Sequence, residues 1–221
     1  MGWHVVDSRS VASPQRHGTR GYVLDYPMTH SSCKLVLASR SPRRRQLLTE
    51  AGYQFDVVPP GELIEYTTDW RKTPRELVSH LAYQKAADVA RRTDEGIVLA
   101  CDTVVEYRGQ ILGKPQDRDD ARRMLQLLRG RAHHVYSGLC LWRRPDDKTL
   151  VEVDVTKLKM DPRSDADLEE YLDTGQWQGK AGAFGYQDRL GWIRIVTGSE
   201  SNVVGLPLEL LTKMLLTLDG E

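Results

Sequence analysis

The sequence carries no excess charge of either sign: Lys+Arg and Asp+Glu both number 31. A general affinity for nucleic acid or anionic membrane is therefore not suggested, and any anion site must be local. Cysteine is scarce. Cys33, Cys101 and Cys140 are widely spaced and odd in number, so they make neither a CxxC metal pattern nor a disulfide framework. A reducing cytoplasm is the expected location. No apolar run reaches the roughly 18 residues of a membrane span. Residues 1–32 contain Trp3, Arg9, His17, Arg20 and Asp25 but no apolar h-region, so a signal peptide is not expected. They read as a poorly ordered leader, or as upstream sequence included by the choice of start codon. One folded unit is expected over 33–221. Internal repeats and low-complexity segments are missing too. What remains is ordinary globular composition, 40% hydrophobic and 28% charged, with enough apolar material for a core.

From Lys34 the pattern becomes regular. Residues 34–38 (KLVLA) read as a buried strand. Ser41 can cap a following helix with Pro42 in its first turn, Leu47, Leu48 and Ala51 on one face, and Gly52 at its end. Thr73-Pro74-Arg75-Glu76 is a capping box, and Leu77, Val78, Leu81, Ala82, Ala86 and Val89 form the stripe of a second helix. Ile97–Ala100 is a buried strand that leads into Cys101-Asp102-Thr103. Arg108-Gly109 is a hairpin turn returning through Ile111-Leu112. Ala121, Met124, Leu125 and Leu128 mark a third helix, stopped by Gly130. Residues 135–142 and 150–160 are long strands around a polar turn. Ser164 caps a short helix closed by Gly175. A glycine-rich stretch, 175–191, precedes a strand near 193–196, a polar loop, and a helix from Pro207. Helices alternating with strands, a hairpin and a long β pair predict an α/β fold with a mixed sheet.

Several residues are out of place for mere packing. Ser39-Arg40-Ser41-Pro42-Arg43-Arg44-Arg45 puts hydroxyls and guanidinium groups at a helix N-terminus, where free N–H groups already favour an anion. Basic residues there otherwise oppose the helix dipole. Arg44 also falls on the side of Leu47, Leu48 and Ala51. Lys85 lies within the apolar stripe of the second helix, so it either snorkels or meets an anion. Asp102 follows a buried strand, where α/β proteins place catalytic groups. It can hold Mg²⁺ or take a proton from water, or it is a turn aspartate. Lys114 offers another cation just beyond the hairpin. Glu62 and Glu65 are candidate partners for a metal or a water. His133 and His134 are adjacent on a strand, point to opposite faces and are read as structural. Trp177, Phe184, Tyr186 and Trp192 either form a base-stacking wall or simply pack.

Assembled, these residues resemble the Maf family of nucleotide pyrophosphatases. The similarity runs from about Lys34 to Leu215. It rests on LVLASRSPRRRQLL (35–48), LAYQKA (81–86), ACDTVV (100–105), GKPQDRDDARRML (113–125), KAGAFGYQ (180–187) and NVVGLPLELL (202–211), in that order. The resemblance implies a mixed α/β fold of two lobes around a deep cleft. It implies hydrolysis of a nucleoside triphosphate to the monophosphate and pyrophosphate with Mg²⁺ or Mn²⁺. Asp102 matches the catalytic aspartate, and Ser39, Ser41, Arg43 and Arg44 match the phosphate-binding motif. Lys85 and Lys114 match the two catalytic lysines. Arg43, Thr103 and Gln187 match the subgroup that acts on dTTP and UTP, in which Gln187 would meet the pyrimidine edge. The acidic loop departs from the family pattern, so the second metal ligand is Glu65 or Glu62. Tyr186 and Arg40 depart as well. The expected partner is the nucleotide, with neither nucleic acid nor membrane, and a homodimer stays open. The rival reading is a nucleotide-binding regulator of septum formation and cell division without significant catalysis.

Overall fold

The computed structural model describes residues 34–61, 72–188 and 190–220. The elements are β1 (Leu35–Leu37), α1 (Pro42–Glu50), β2 (Phe55–Val57), α2 (Pro74–Ala90), β3 (Gly96–Tyr107), β4 (Gln110–Leu112) and α3 (Arg118–Leu128). They continue through β5 (Ala132–Arg144), β6 (Thr149–Met160), α4 (Asp165–Asp173), β7 (Ile193–Thr197), α5 (Glu200–Val204) and α6 (Leu208–Asp219). Seven strands make one mixed sheet in the order β2-β1-β3-β5-β6-β7, with β4 added beside β3. The fold class and the cleft expected from sequence are both found.

β1 is buried along its length because it lies between two parallel neighbours, β2 and β3. Parallel strands need crossovers, and α1 and α2 stand in those connections. The capping box of α2 forms as expected: the Glu76 N–H donates to Thr73 Oγ1 at 3.3 Å, and the Thr73 N–H donates to Glu76 Oε2 at 2.9 Å. Arg108 and Gly109 both take positive φ, 51° and 81°, as a tight two-residue hairpin demands.

The layout of β3 positions everything that follows. On one edge it pairs with β5 from Gly96 to Glu106. On the other edge it pairs with β1 only through Ile97–Leu99 and with β4 only through Val105–Tyr107. Residues 100–104 of that second edge therefore open into a gap. Even-numbered β3 residues face α2, where Val98 and Ala100 pack on Ala82, Ala86 and Val89. Odd-numbered ones face the opposite layer, which is divided. Leu99 and Cys101 join a core with α1 and α6, whereas Val105 joins a core with α3 and α4. The cleft runs between these two half-cores, with Thr103 on its floor.

Two elements were not legible in sequence, and one residue sits differently. β2 has only three half-exposed or exposed residues and so shows no alternation. α5 replaces the expected polar loop; it is five residues long, too short for an apolar stripe, and is capped by Ser199. Asp102 lies in the middle of β3 rather than at a strand exit. It is the neighbour β1 that ends, not β3. Among the described residues no helix is long and apolar enough to cross a membrane.

α2 crosses β5 at Gly138. A Cβ there would lie 2.4 Å from the Val78 carbonyl oxygen, a backbone atom that cannot swing aside. Gly138→Ala should therefore lower unfolding stability by about 2–3 kcal/mol. Chemical denaturation checks this, and an unchanged midpoint would refute the close approach.

Candidate active site

The cleft has a volume of about 520 Å³. Its lining includes Asp102, Lys85, Lys114, Gly185 and Gln187. Ser39, Ser41, Arg43, Arg44 and Thr103 line it too. All the candidate residues within the described chain are thus brought to one place. Glu62 and Glu65 lie outside the described residues.

The anomaly at Lys85 resolves clearly. It is 4% exposed, yet its ammonium lies 2.5 Å from Asp102 Oδ1. The anion that a lysine in an apolar stripe must find is the aspartate itself. α2 thereby fixes the orientation of the carboxylate on β3. Removing either partner would strand a buried charge, whose cost is several kcal/mol.

Asp102 and Thr103 are adjacent on a strand and so point to opposite faces. Thr103 turns to α1. Its Oγ1 is 3.2 Å from Arg44 Nη2, which donates, and 2.8 Å from Ser137 Oγ. Arg44 donates further from Nε to the Gly205 carbonyl at 2.8 Å and from Nη1 to Ser39 Oγ at 3.4 Å. One guanidinium therefore ties α1, β3 and the turn between α5 and α6 together. Arg43 reaches the other way, donating to the Gly179 carbonyl at 2.6 Å. Burial lowers Arg43 from the ordinary guanidinium value and the adjacent Arg44 lowers it further, against Asp188 and Tyr171. An anion placed between the two guanidinium groups would relieve that crowding.

At the head of α1 the expected cap is corrected. Ser41 occupies the cap position, but its side chain accepts no N–H from the helix. Its own N–H instead donates to Ser39 Oγ at 3.1 Å. The first turn of α1 thus has no side-chain cap, which leaves it suited to an anionic ligand.

Sequence reasoning missed some participants. Ser137 is fully buried under Thr103, and only register places it there. Lys180 was passed over inside the glycine-rich stretch, although a lysine among small residues could have drawn notice. Gly205 contributes only a carbonyl, which no residue pattern reveals. Cys101 has its thiol pushed up by burial and its Sγ 3.3 Å from the Gly205 carbonyl, so it does not serve as a nucleophile. Trp177 and Trp192 are buried, and packing accounts for them, whereas Phe184, stacked on Trp192 at 5.4 Å, and Tyr186 also line the cleft.

The family model described as "Maf-like protein" matches residues 34–218. The chain belongs to the Maf family. A protein of Rhodopirellula baltica named dTTP/UTP pyrophosphatase is 53% identical over 182 residues, 82% of this chain and 80% of its own length. One of Anaeromyxobacter sp. with the same name is 43% identical over 179 residues, 79% of this chain and 84% of its own. Another, of Dictyoglomus thermophilum, is 40% identical over 183 residues, 82% of this chain and 94% of its own. The Maf motifs coincide with the walls of the cleft.

Among the described residues no group of three or more His, Cys, Asp or Glu side chains could cage an ion. Among the described residues Asp102 is the one carboxylate lining a cleft rich in cations. That is the donor set of Mg²⁺ held by one or two carboxylates and the phosphates of a substrate. The residues fit such an ion and do not form an all-protein metal cage.

His133 is 2% exposed and packs in the cleft wall. Burial lowers its ring to about 4, although the Arg131 carbonyl, 3.3 Å from Nδ1, opposes this. An unfolded histidine titrates near ~6.5. As pH falls from there toward 4, the unfolded chain takes up a proton that the folded chain refuses, and stability declines. The loss attributable to His133 approaches roughly 3 kcal/mol near the folded value. His133→Leu should remove it, so the stability difference between variant and wild type should move in the variant's favour between about pH 7 and pH 4. A difference independent of pH, measured by urea titration, would contradict this.

Proposed function

We propose that this protein hydrolyses nucleoside triphosphates, dTTP and UTP in particular, to the monophosphate and pyrophosphate. The observation that carries this reading is the Lys85–Asp102 pair in a cleft walled by Arg43, Arg44 and Lys114. An oriented carboxylate among several cations suits attack of water on a polyanion. The names of the three relatives supply the nucleotide class.

In this reading Arg43, Arg44, Ser39, Ser41 and the head of α1 hold the triphosphate. Arg44 is already positioned for that by Thr103 and Gly205. Asp102 accepts the proton of the attacking water. The water oxygen bonds to the α-phosphorus as the α–β bridge breaks, and pyrophosphate leaves with the bridging oxygen. Lys85 holds Asp102 in place, and Lys114 supports the leaving group. Asp102, with Glu65 or Glu62, would hold Mg²⁺ or Mn²⁺; when bound, the ion neutralises charge on the phosphate oxygens. Gln187 reads the pyrimidine. Thr103 acts on selectivity through Arg44 rather than through the base.

The test is pyrophosphate release with Mg²⁺ across a nucleotide panel. Release from dTTP and UTP should exceed release from GTP. Asp102→Asn should lower kcat at least about a hundredfold, the contribution of a positioned base, while UTP binding changes only a few-fold. Near-normal turnover in that variant, or no release from any nucleotide by the wild type, would overturn the proposal.

A further inference from the structure

A second ion pair is nearly as buried as Lys85–Asp102, and the mechanism above does not use it. The Lys180 ammonium lies 2.5 Å from Asp188 Oδ1, and the two side chains are 10% and 9% exposed. Tyr171, from α4, donates its hydroxyl to Asp188 Oδ2 at 3.1 Å. Burial lowers Lys180 from the ordinary lysine value, Asp188 raises it again, and Arg43 lowers it. Two charges withdrawn from water beside a substrate cleft need a reason, because an apolar pair there would be as stable or more so.

Gly185 supplies the reason. A Cβ at that position would stand 2.8 Å from Lys180 Nζ and 2.9 Å from Gln187 Nε2. The absent side chain lets an ammonium and a carboxamide NH₂ lie over the same glycine. Both groups donate and neither accepts, so they cannot bond to one another. Among the described residues Gln187 makes no hydrogen bond, and Lys180, Gly185 and Gln187 all line the cleft. Two donors flanking one glycine call for an acceptor such as a carbonyl oxygen. Uracil and thymine present one at C4, next to an N3–H that a carboxamide oxygen can accept. Cytosine presents an amino group at C4 instead, which would face two donors.

We propose that Lys180, held by Asp188, reads the C4 carbonyl of uracil or thymine together with Gln187, and thereby excludes cytosine. This rests on the reading that the cleft takes pyrimidine nucleoside triphosphates. Lys180 touches the base; Asp188 and Tyr171 are positioning residues. A site built to bond one group rejects an analogue lacking it far more strongly than an apolar pocket rejects a misfit.

The experiment compares wild type with Lys180→Met and with the double variant Lys180→Met/Asp188→Asn, which leaves no lone buried charge. Folding is checked by thermal denaturation. Two readouts are taken on each full-length protein: kcat and KM for UTP and CTP with Mg²⁺, and calorimetric affinity for the α,β-methylene analogues of both. Wild type should favour the uracil nucleotide at least about tenfold in each readout. In the folded variants kcat/KM and affinity for UTP should fall by about that factor, mainly through a higher KM, while CTP changes little, so the preference collapses. If wild type shows no preference, or if folded variants keep it, the inference is wrong even though pyrophosphate release stands. If the analogues show the preference and its loss while wild type releases no pyrophosphate, the inference holds and the proposed hydrolysis fails. A loss equal for UTP and CTP would assign Lys180 a purely structural role and also overturn it.

Discussion

The break along one edge of β3 is the constraint on which the site depends. A central strand normally has neighbours on both sides, and here the second neighbour changes from β1 to β4 with residues 100–104 left between them. Continuous pairing with β5 holds that stretch in the sheet. Because the gap falls where side chains alternate, Asp102 and Thr103 serve the same cleft while pointing to opposite layers. Asp102 can then be held from the α2 side and Thr103 from the α1 side. One strand therefore aligns the carboxylate with the arginines of the cleft without relying on a loop.

This alignment uses polar groups where apolar ones would pack more simply. Lys85 interrupts the stripe of α2, and Ser137 interrupts a buried strand. Each is satisfied: the lysine by Asp102, the serine by Thr103. Buried polar networks define one arrangement sharply because their alternatives leave groups without partners. The Thr103–Arg44–Gly205 chain also connects α1, β3 and the α5–α6 turn, elements from distant parts of the sequence. A change at Thr103 would reach the head of α1 through Arg44.

What could be read from sequence was what depends on local pattern. The caps of α2 and α4, the hairpin at Arg108-Gly109 and the stripe on α3 are all short-range features, and they appear where expected. The placement of Lys85 was a genuine local anomaly, and its partner was within reach of the same reasoning. Thr103 was different. Resemblance linked it to the choice of base, but its contacts are with Arg44 and Ser137, separated from it by 59 and 34 residues. No periodicity carries such pairings. β2 and α5 were lost for the opposite reason: they are too short for any period to develop, and their partners create them.

The glycine-rich segment shows how the two alternatives for its aromatics can be reconciled. Trp177, Phe184 and Trp192 join Tyr171 in the half-core beside α3 and α4, while Phe184 and Tyr186 also line the cleft. That packing still matters to the cleft. Tyr171 is both a ring in this cluster and the hydroxyl donor to Asp188, so the aromatic core holds the carboxylate that holds Lys180. The glycines allow the chain to turn tightly, with Gly179 and Gly182 at positive φ and Gly185 clearing space for two donors. A segment that looks flexible by composition is thus anchored at its base by rings and at its tip by an ion pair. Groups held in this way lose little freedom when a ligand arrives, so small differences in the ligand's donors and acceptors are felt almost in full.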